Sequence, residues 1–241
     1  MKYLKIIILP FIMLLFLTSA CDFKSINGSG NIIKISRSVS GFNRITISGS
    51  GHLFIIQGNT ESLQIECDDN IEPHILSTVT NKTLDIGPNN VNLNPSEPIK
   101  YTLSLKNLHA LKTSGAIKVN SNLLRTENLS VVMNGSGKFI LGGIEAQSVE
   151  VDINGSGKVD VESGNVKHQR LSISGSGKFN FSNLKSESAD VKISGSGKGT
   201  LWVADKLIIK ISGSGKLHYY GSPKISSNVS GSGKIDSLGE K

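Results

Sequence analysis

Apolar and polar residues alternate along most of this chain in short runs with a period of two. Leu129, Val131 and Met133 form one run, and Val149, Val151 and Ile153 a second. Ala189, Val191 and Ile193, then Leu207, Ile209 and Ile211, form two more. Successive side chains of an extended strand point to opposite faces, so each run predicts a strand with one buried face. Every run stops at Gly-Ser-Gly. Lys follows the motif, and alternation resumes: Phe139 and Leu141, Val159 and Val161, Phe179 and Phe181, Leu217 and Tyr219. A Gly or Asn then precedes one apolar residue, as in Gly143-Ile144, Asn165-Val166 and Asn183-Leu184. The pattern predicts units of two strands and two corners.

Gly-Ser-Gly begins at Gly28, Gly49, Gly135, Gly155, Gly175, Gly195, Gly213 and Gly231, and Thr113-Ser114-Gly115 reads as a degenerate copy. From Gly135 the spacings are 20, 20, 20, 18 and 18 residues. A fixed period of this length marks a repeat architecture. Two arrangements satisfy it. In an antiparallel meander each motif is a hairpin loop. In a parallel β-solenoid (β-helix) each unit is one coil of roughly 20 residues, and Ser50, Ser136, Ser156, Ser176, Ser196, Ser214 and Ser232 form a column. Stacking gives a reason for identical corners in every unit, whereas separate hairpins tolerate varied turns, so the all-β solenoid is the expected fold. A column of serine hydroxyls would bond along itself or to the corner backbone.

Residues 31–112 are less regular, with strand-like runs at 31–37, 42–48, 52–57, 62–67, 82–86 and 99–105. A Pro- and Asn-rich stretch at 87–98 reads as a long surface loop. Since Gly49 already carries the corner motif, this half is expected to be the irregular start of one solenoid domain over 31–235, with regular repeats over 113–235. Residues 236–241 read as a loose tail.

The first residues have a different character. Met1, Lys2 and Lys5 precede an apolar run at 6–17, and Thr18-Ser19-Ala20 leads into Cys21. The run is shorter than the ~20 residues a membrane span needs, which favours a cleaved signal over 1–20. The small residues before Cys21 resemble a lipobox, with Thr18 where Leu is commonest. That makes Cys21 the expected lipid attachment site, followed by a short linker to residue 30; a plain secretory signal is the alternative. Asp22 resembles an inner-membrane retention signal of enteric-type bacteria, which leaves the leaflet open. With Cys21 lipidated, Cys67 has no partner, and its phase with Leu63 and Ile65 marks a small buried residue. Loss of Lys2 and Lys5 on export leaves 24 basic against 19 acidic residues, a net charge of +5.

Catalytic and metal chemistry find little footing. His52, His74, His109, His168 and His218 are scattered, and none stands at metal-ligand spacing with Cys or Glu. The glycines of the motif sit between strands and not ahead of a helix, so they form no phosphate loop. The Asp of calcium-binding glycine-rich repeats is absent. No cofactor is expected. Glu150, Asp152, Asp160 and Glu162 flank one corner at outward phases and are the candidate acid and base of a glycan-active β-helical enzyme.

The stronger candidate is the lysine after each motif. Stacked coils would align Lys138, Lys158, Lys178, Lys198, Lys216 and Lys234 into a row suited to an extended polyanion, such as acidic polysaccharide or phosphorylated lipopolysaccharide. Solubility of a repetitive corner is the plainer use of the same lysines. Nucleic acid is not an expected partner, because aromatic residues for base stacking are only 5% of the chain.

The lipoprotein signal, the block GSGNIIKISRSVSGFNRITISGSGHLFIIQG, the acidic DDNIEPHI and the serial ISGSGK units together resemble the bacterial head GIN domain family, described as autotransporter-adhesin-like. The resemblance covers residues 27–235, and the early block is its specific part. It implies a β-helical fold and a cell-envelope location, and it brings no catalytic residues. The expected function is therefore a non-catalytic, lipid-anchored envelope protein presenting a repetitive surface for adhesion or polymer binding. The rivals are a glycan-active enzyme and a scaffold that self-associates through its last coil.

Overall fold

The computed structural model describes residues 24–241, so the signal segment and Cys21 lie outside the described residues. The regular half is a parallel β-solenoid. Asn128–Gly135 pairs in parallel with Ala110–Arg125 on one side and Lys138–Gly155 on the other. Lys138–Gly155 continues the stack onto Gly164–Gly175, which is followed by Lys178–Gly195, Lys198–Gly213 and Lys224–Gly231. The antiparallel meander is thereby excluded for the repeats. Every predicted inward residue of these runs is buried, from Leu129 and Val131 through Phe139, Val151, Phe181 and Ile193 to Leu217; Tyr219 is partly so.

Each coil has three strand segments, not the two that the alternation suggested. Between Lys158–Val161 and the long run ending at Gly175, residues 164–166 pair with 144–146, Gly164 against Ile144 and Val166 against Ala146; Ile144 and Val166 are buried. Two inward positions, filled unevenly by Gly164 and Val166 or by Leu184 and Ser186, are too short a run to register as alternation. The shortening from 20 to 18 residues falls in this third segment, where the register shifts between Phe181 and Lys185 and between Ser186 and Ser188.

The two glycines of each corner serve different ends. Gly155 has φ +131°, and a Cβ there would press on the Gly135 carbonyl of the preceding coil. That carbonyl instead accepts the N–H of Ser156 at 3.1 Å, and the link recurs from Ser176, Ser196 and Ser214 to Gly155, Gly175 and Gly195 at 2.9 Å each. The corner column is thus bonded through the serine N–H groups. The second glycine faces the core: a Cβ on Gly177 would stand 2.5 Å from Cγ2 of Ile153.

The degenerate corner is displaced by two residues from its predicted place. Gly115 is in register with Gly49 and Gly135, so the copy is Gly115-Ala116-Ile117, and Ile117 fills the core where the second glycine normally stands.

The first half departs from simple coil succession. Arg44–Gln57 is a full coil with its corner at Gly49, and Ala110–Arg125 lies directly above it. The intervening chain drops beneath: Thr83–Pro88 and Lys100–Leu105 pair in parallel with the two halves of Arg44–Gln57. Antiparallel strands then close this end. Ser62–Asp68 lies between Lys100–Leu105 and Ile32–Arg37, and Ile75–Thr80 forms a hairpin with Thr83–Pro88. The hairpin turns on Asn81 and Lys82, both at positive φ, the geometry that suits the twist of paired strands.

Gly28-Ser29-Gly30 lies outside the stacked corners, its N–H groups reaching Asn94, Asn70 and Asp68 in the closed end. Two local expectations need correction. Residues 87–98 are not merely a loop, since Asn92–Asn94 pairs with Ser25–Asn27. The last residues are not loose: Lys234–Ser237 is a strand, Leu238 and Gly239 bond to Tyr219 and Gly221, and the Lys241 ammonium reaches the carbonyl of Ser182 at 2.7 Å.

Candidate functional site: a row of lysines

Parallel in-register stacking carries each residue type into a column, and the column after the corner is basic. Lys118, Lys138, Lys158, Lys178, Lys198, Lys216 and Lys234 occupy equivalent positions on successive coils. Neighbouring strands lie ~4.8 Å apart, so the backbones of the row are evenly and closely spaced. The register is locked from below: the N–H groups of Lys158, Lys178, Lys198, Lys216 and Lys234 donate to the second-glycine carbonyl one coil earlier, at 2.8–3.0 Å. Lys118, Lys138, Lys178, Lys198, Lys216 and Lys234 are all exposed.

Structure extends the row beyond the six lysines read from the motif. Lys118 follows the degenerate corner. Reading the copy at Thr113 hides it, although subtracting the 20-residue period from Gly135 finds Gly115. His52 stands directly below Lys118, and Lys100 below His52. Nothing in the sequence brings Lys100 here, since the strand it begins is laid beneath a coil that precedes it.

Electrostatics along the row are lopsided. Among the described residues, Lys158 is paired with Asp160 at 2.8 Å and Lys100 with Glu66, while the other lysines of the row have no carboxylate within salt-bridge distance. The Glu66 hydrogen bond holds the Lys100 ammonium above its ordinary pKa. The imidazole of His52 is pushed the other way, below 6.5, by burial and then by the charges of Lys118 and Lys100.

Of the four carboxylates that are the candidate acid and base, two are paired with separate cations. Glu150 lies 3.8 Å from Arg170, and Asp160 belongs to Lys158. Asp152 lines a groove of about 450 Å³ on the long-strand side with Arg170, Asp190, Lys192 and Lys210. Glu162 makes no salt bridge among the described residues. Among the described residues there is also no cluster of three His, Cys, Asp or Glu able to hold a metal ion. His168 contacts Ser188 at 2.9 Å and, at 3.4 Å, the Asp190 that lines the groove.

Residues 41–223 match the family model described as "putative auto-transporter adhesin, head GIN domain". No curated protein matches the chain. Among solved structures, a "putative adhesin" from Bacteroides fragilis is similar at 25% identity and a TM-score of 0.83, over 88% of this chain and 100% of the other. A "putative lipid binding protein" from Parabacteroides distasonis is similar at 25% identity and a TM-score of 0.76, over 89% and 100%. A "putative adhesin" from Parabacteroides merdae shares the fold at 21% identity and a TM-score of 0.67, over 89% and 99%.

Proposed function

This chain belongs to the head GIN domain family, and we propose that it is a non-catalytic envelope protein, anchored through lipid at Cys21, whose lysine row holds extended acidic polymers. The observation that carries this reading is the unbroken register from Lys118 to Lys234. Two unit charges 4 Å apart repel by about 1 kcal/mol even in bulk water, so a row of like charges is relieved by an anion laid along it. A spacing near that of one sugar residue suits an acidic polysaccharide or the phosphorylated saccharide of lipopolysaccharide. The adhesin descriptions of the relatives favour a surface that binds without turnover. The name of the Parabacteroides distasonis relative is compatible too, since a lipid phosphate would meet the same ammonium groups.

Anchorage is consistent with the arrangement of the two ends. Lys24 enters the structure beside Asn92, at the closed end, so lipid on Cys21 would hold that end nearest the membrane and leave the row running away from it. Several acyl chains, each buried CH₂ contributing ~0.8 kcal/mol, suffice without a spanning helix.

The test is binding of the full chain to lipopolysaccharide and to an acidic polysaccharide, with Lys158, Lys178 and Lys198 replaced together by Gln. Binding should weaken with salt, because the charges are exposed, and should be lost in the triple variant while the melting temperature stays close to the parent's. Unchanged binding removes the lysine row from the function. The enzymatic alternative requires polysaccharide turnover that disappears on Asp152→Asn or Asp160→Asn.

A further inference from the structure

The two ends of the solenoid are finished differently. At the first end, antiparallel strands close the stack: Leu63, Ile65 and Cys67 of Ser62–Asp68 are buried, and the outermost strand, Ile32–Arg37, keeps Ile32, Ile33 and Ile35 partly covered. At the other end, among the described residues, nothing lies over the last coil. Among the described residues, Lys224–Gly231 pairs only with Lys198–Gly213, and Lys234–Ser237 only with Lys216–Tyr220. Every residue of Lys224–Gly231 is exposed. In the coil before, the inward column Leu207, Ile209 and Ile211 is fully covered, yet its register partners Ile225 and Val229 are 44% and 40% exposed. An eight-residue strand with free N–H and C=O groups and an apolar inner face is an incomplete sheet edge, which folded proteins normally cover or blunt.

We infer that this end is an interface for a second copy of the same chain, joined end to end by antiparallel pairing of Lys224–Gly231 with itself about a two-fold axis through Ser227. The sequence of the strand is self-complementary under that operation. Ile225 falls opposite Val229 of the second copy, and Val229 opposite its Ile225, so the two exposed apolar residues cover each other. Ser227 meets Ser227, Ser226 meets Asn228, and Lys224 meets Ser230, so no like charges are opposed. A one-residue slip would set Ile225 against Ser230 and lose the apolar pairs. The same rotation lays the Gly231–Gly233 corner of one copy over the Gly221–Pro223 corner of the other. There Ser222 holds the Glu240 carboxylate by a short hydrogen bond, and Lys234 arrives beside it. An isologous contact of this kind closes on two copies, because each copy's edge is used up by the other's.

The experiment introduces one cysteine at the axis. Ser227→Cys in the full chain, in detergent-solubilised membranes under mild oxidation, should give a disulfide-linked dimer. Ser172→Cys, on the outer face of a middle coil, should not. Val229→Lys added to Ser227→Cys should reduce the cross-link several-fold without changing the melting temperature, since that side chain is already exposed in the single copy. Glu240→Lys should weaken dimerisation, and Lys234→Glu added to it should restore it, an outcome that a merely structural role of Glu240 would not produce. A chain that stays monomeric at every concentration, equal cross-linking at Ser172→Cys, or cross-linking of Ser227→Cys to a different protein would each overturn the inference. Polymer binding does not enter these measurements, so their failure leaves the lysine row untouched.

Discussion

Asp68, fully buried in the closed end, accepts hydrogen bonds from both the hydroxyl and the N–H of Ser96, at 2.5 and 3.0 Å. A third comes from the N–H of Gly30 at 2.8 Å. One carboxylate therefore ties the entry of the chain and the Pro-rich stretch to the antiparallel cap. This satisfies a charge that burial would otherwise penalise heavily. The neighbouring Asp69 does the same at the surface, accepting from Ser29 and Asn31.

Asp68→Asn should loosen this end, because an amide turns a donor toward groups that are themselves donors. The pH dependence has a definite sign. The Ser96 hydroxyl, then the Gly30 and Ser96 N–H groups, hold the Asp68 carboxyl below its ordinary 3.8 against the opposing effect of burial. A depressed acid contributes stability that is fully present above 3.8 and is lost as pH falls through the lower folded value. The melting temperature of the parent should therefore drop on acidification below 3.8 more steeply than that of Asp68→Asn, as followed by circular dichroism.

Gly155→Ala and Gly177→Ala should both destabilise the solenoid, for separable reasons. At Gly155 the φ of +131° and the approach to the Gly135 carbonyl involve backbone on both sides, and strain of this type costs about 1–3 kcal/mol. No side-chain substitution should rescue it. At Gly177 the added methyl meets Cγ2 of Ile153, an overpacking that also costs about 1–3 kcal/mol. Ile153→Leu removes that branch at nearly constant volume, so the double variant should melt above Gly177→Ala alone. Denaturant unfolding of the four proteins decides the matter, and rescue at Gly155 by Ile153→Leu would contradict it.

The imidazole of His52 reports on the lysine row. Burial, then Lys118, then Lys100, lower its pKa below 6.5. Lys118→Gln should move the His52 titration, read by NMR, back toward 6.5, and Lys100→Gln should do so by less. The unfolded chain binds this proton more readily than the folded one, so stability is complete above 6.5 and declines as pH falls below it. An acidic polymer bound along the row should raise the His52 pKa by supplying negative charge, whereas a ligand bound elsewhere would leave it unmoved.

The repeats were legible because period and phase both survive in the sequence. Alternation placed Val151 and Ile193 inside, and the identity of the corners argued for stacking. What escaped has a physical cause in each case. Ile117 replaces the inward glycine of its corner, which hid that copy and with it Lys118. The third segment has two inward positions per coil, filled by residues as unlike as Gly164, Val166, Leu184 and Ser186, which shows no alternation. The closed end was opaque because its order in space is not its order in the chain. Lys100 lies under His52, and Asp68 is satisfied by Gly30 and Ser96 from 38 and 28 residues away. The open end left a trace that is plain only in retrospect: Ser227 takes the place that Ile209 holds one coil earlier.

Cys67 offers a last measurement, on the order in which the solenoid opens. It is buried beneath Ile33 and beside Asp68 in the cap. Burial, with Glu72 and Asp68 adding to it, pushes the thiol up to about 11. The thiolate is the reactive form, so the native protein should resist thiol reagents at pH 8. With Cys21 replaced by Ser, labelling should then report exposure of the cap and nothing else. If the antiparallel strands form a unit that opens before the repeats, Cys67 should react at denaturant concentrations where far-ultraviolet circular dichroism is still native, and Asp68→Asn should bring that reaction to lower denaturant still. If cap and coils are one cooperative unit, labelling and loss of strand signal will coincide in both proteins. Cys67→Ser should be the more damaging substitution beside Cys67→Ala, since its hydroxyl would be buried among Ile33, Ile65 and Tyr101 at a cost of about 1–3 kcal/mol if unpaired.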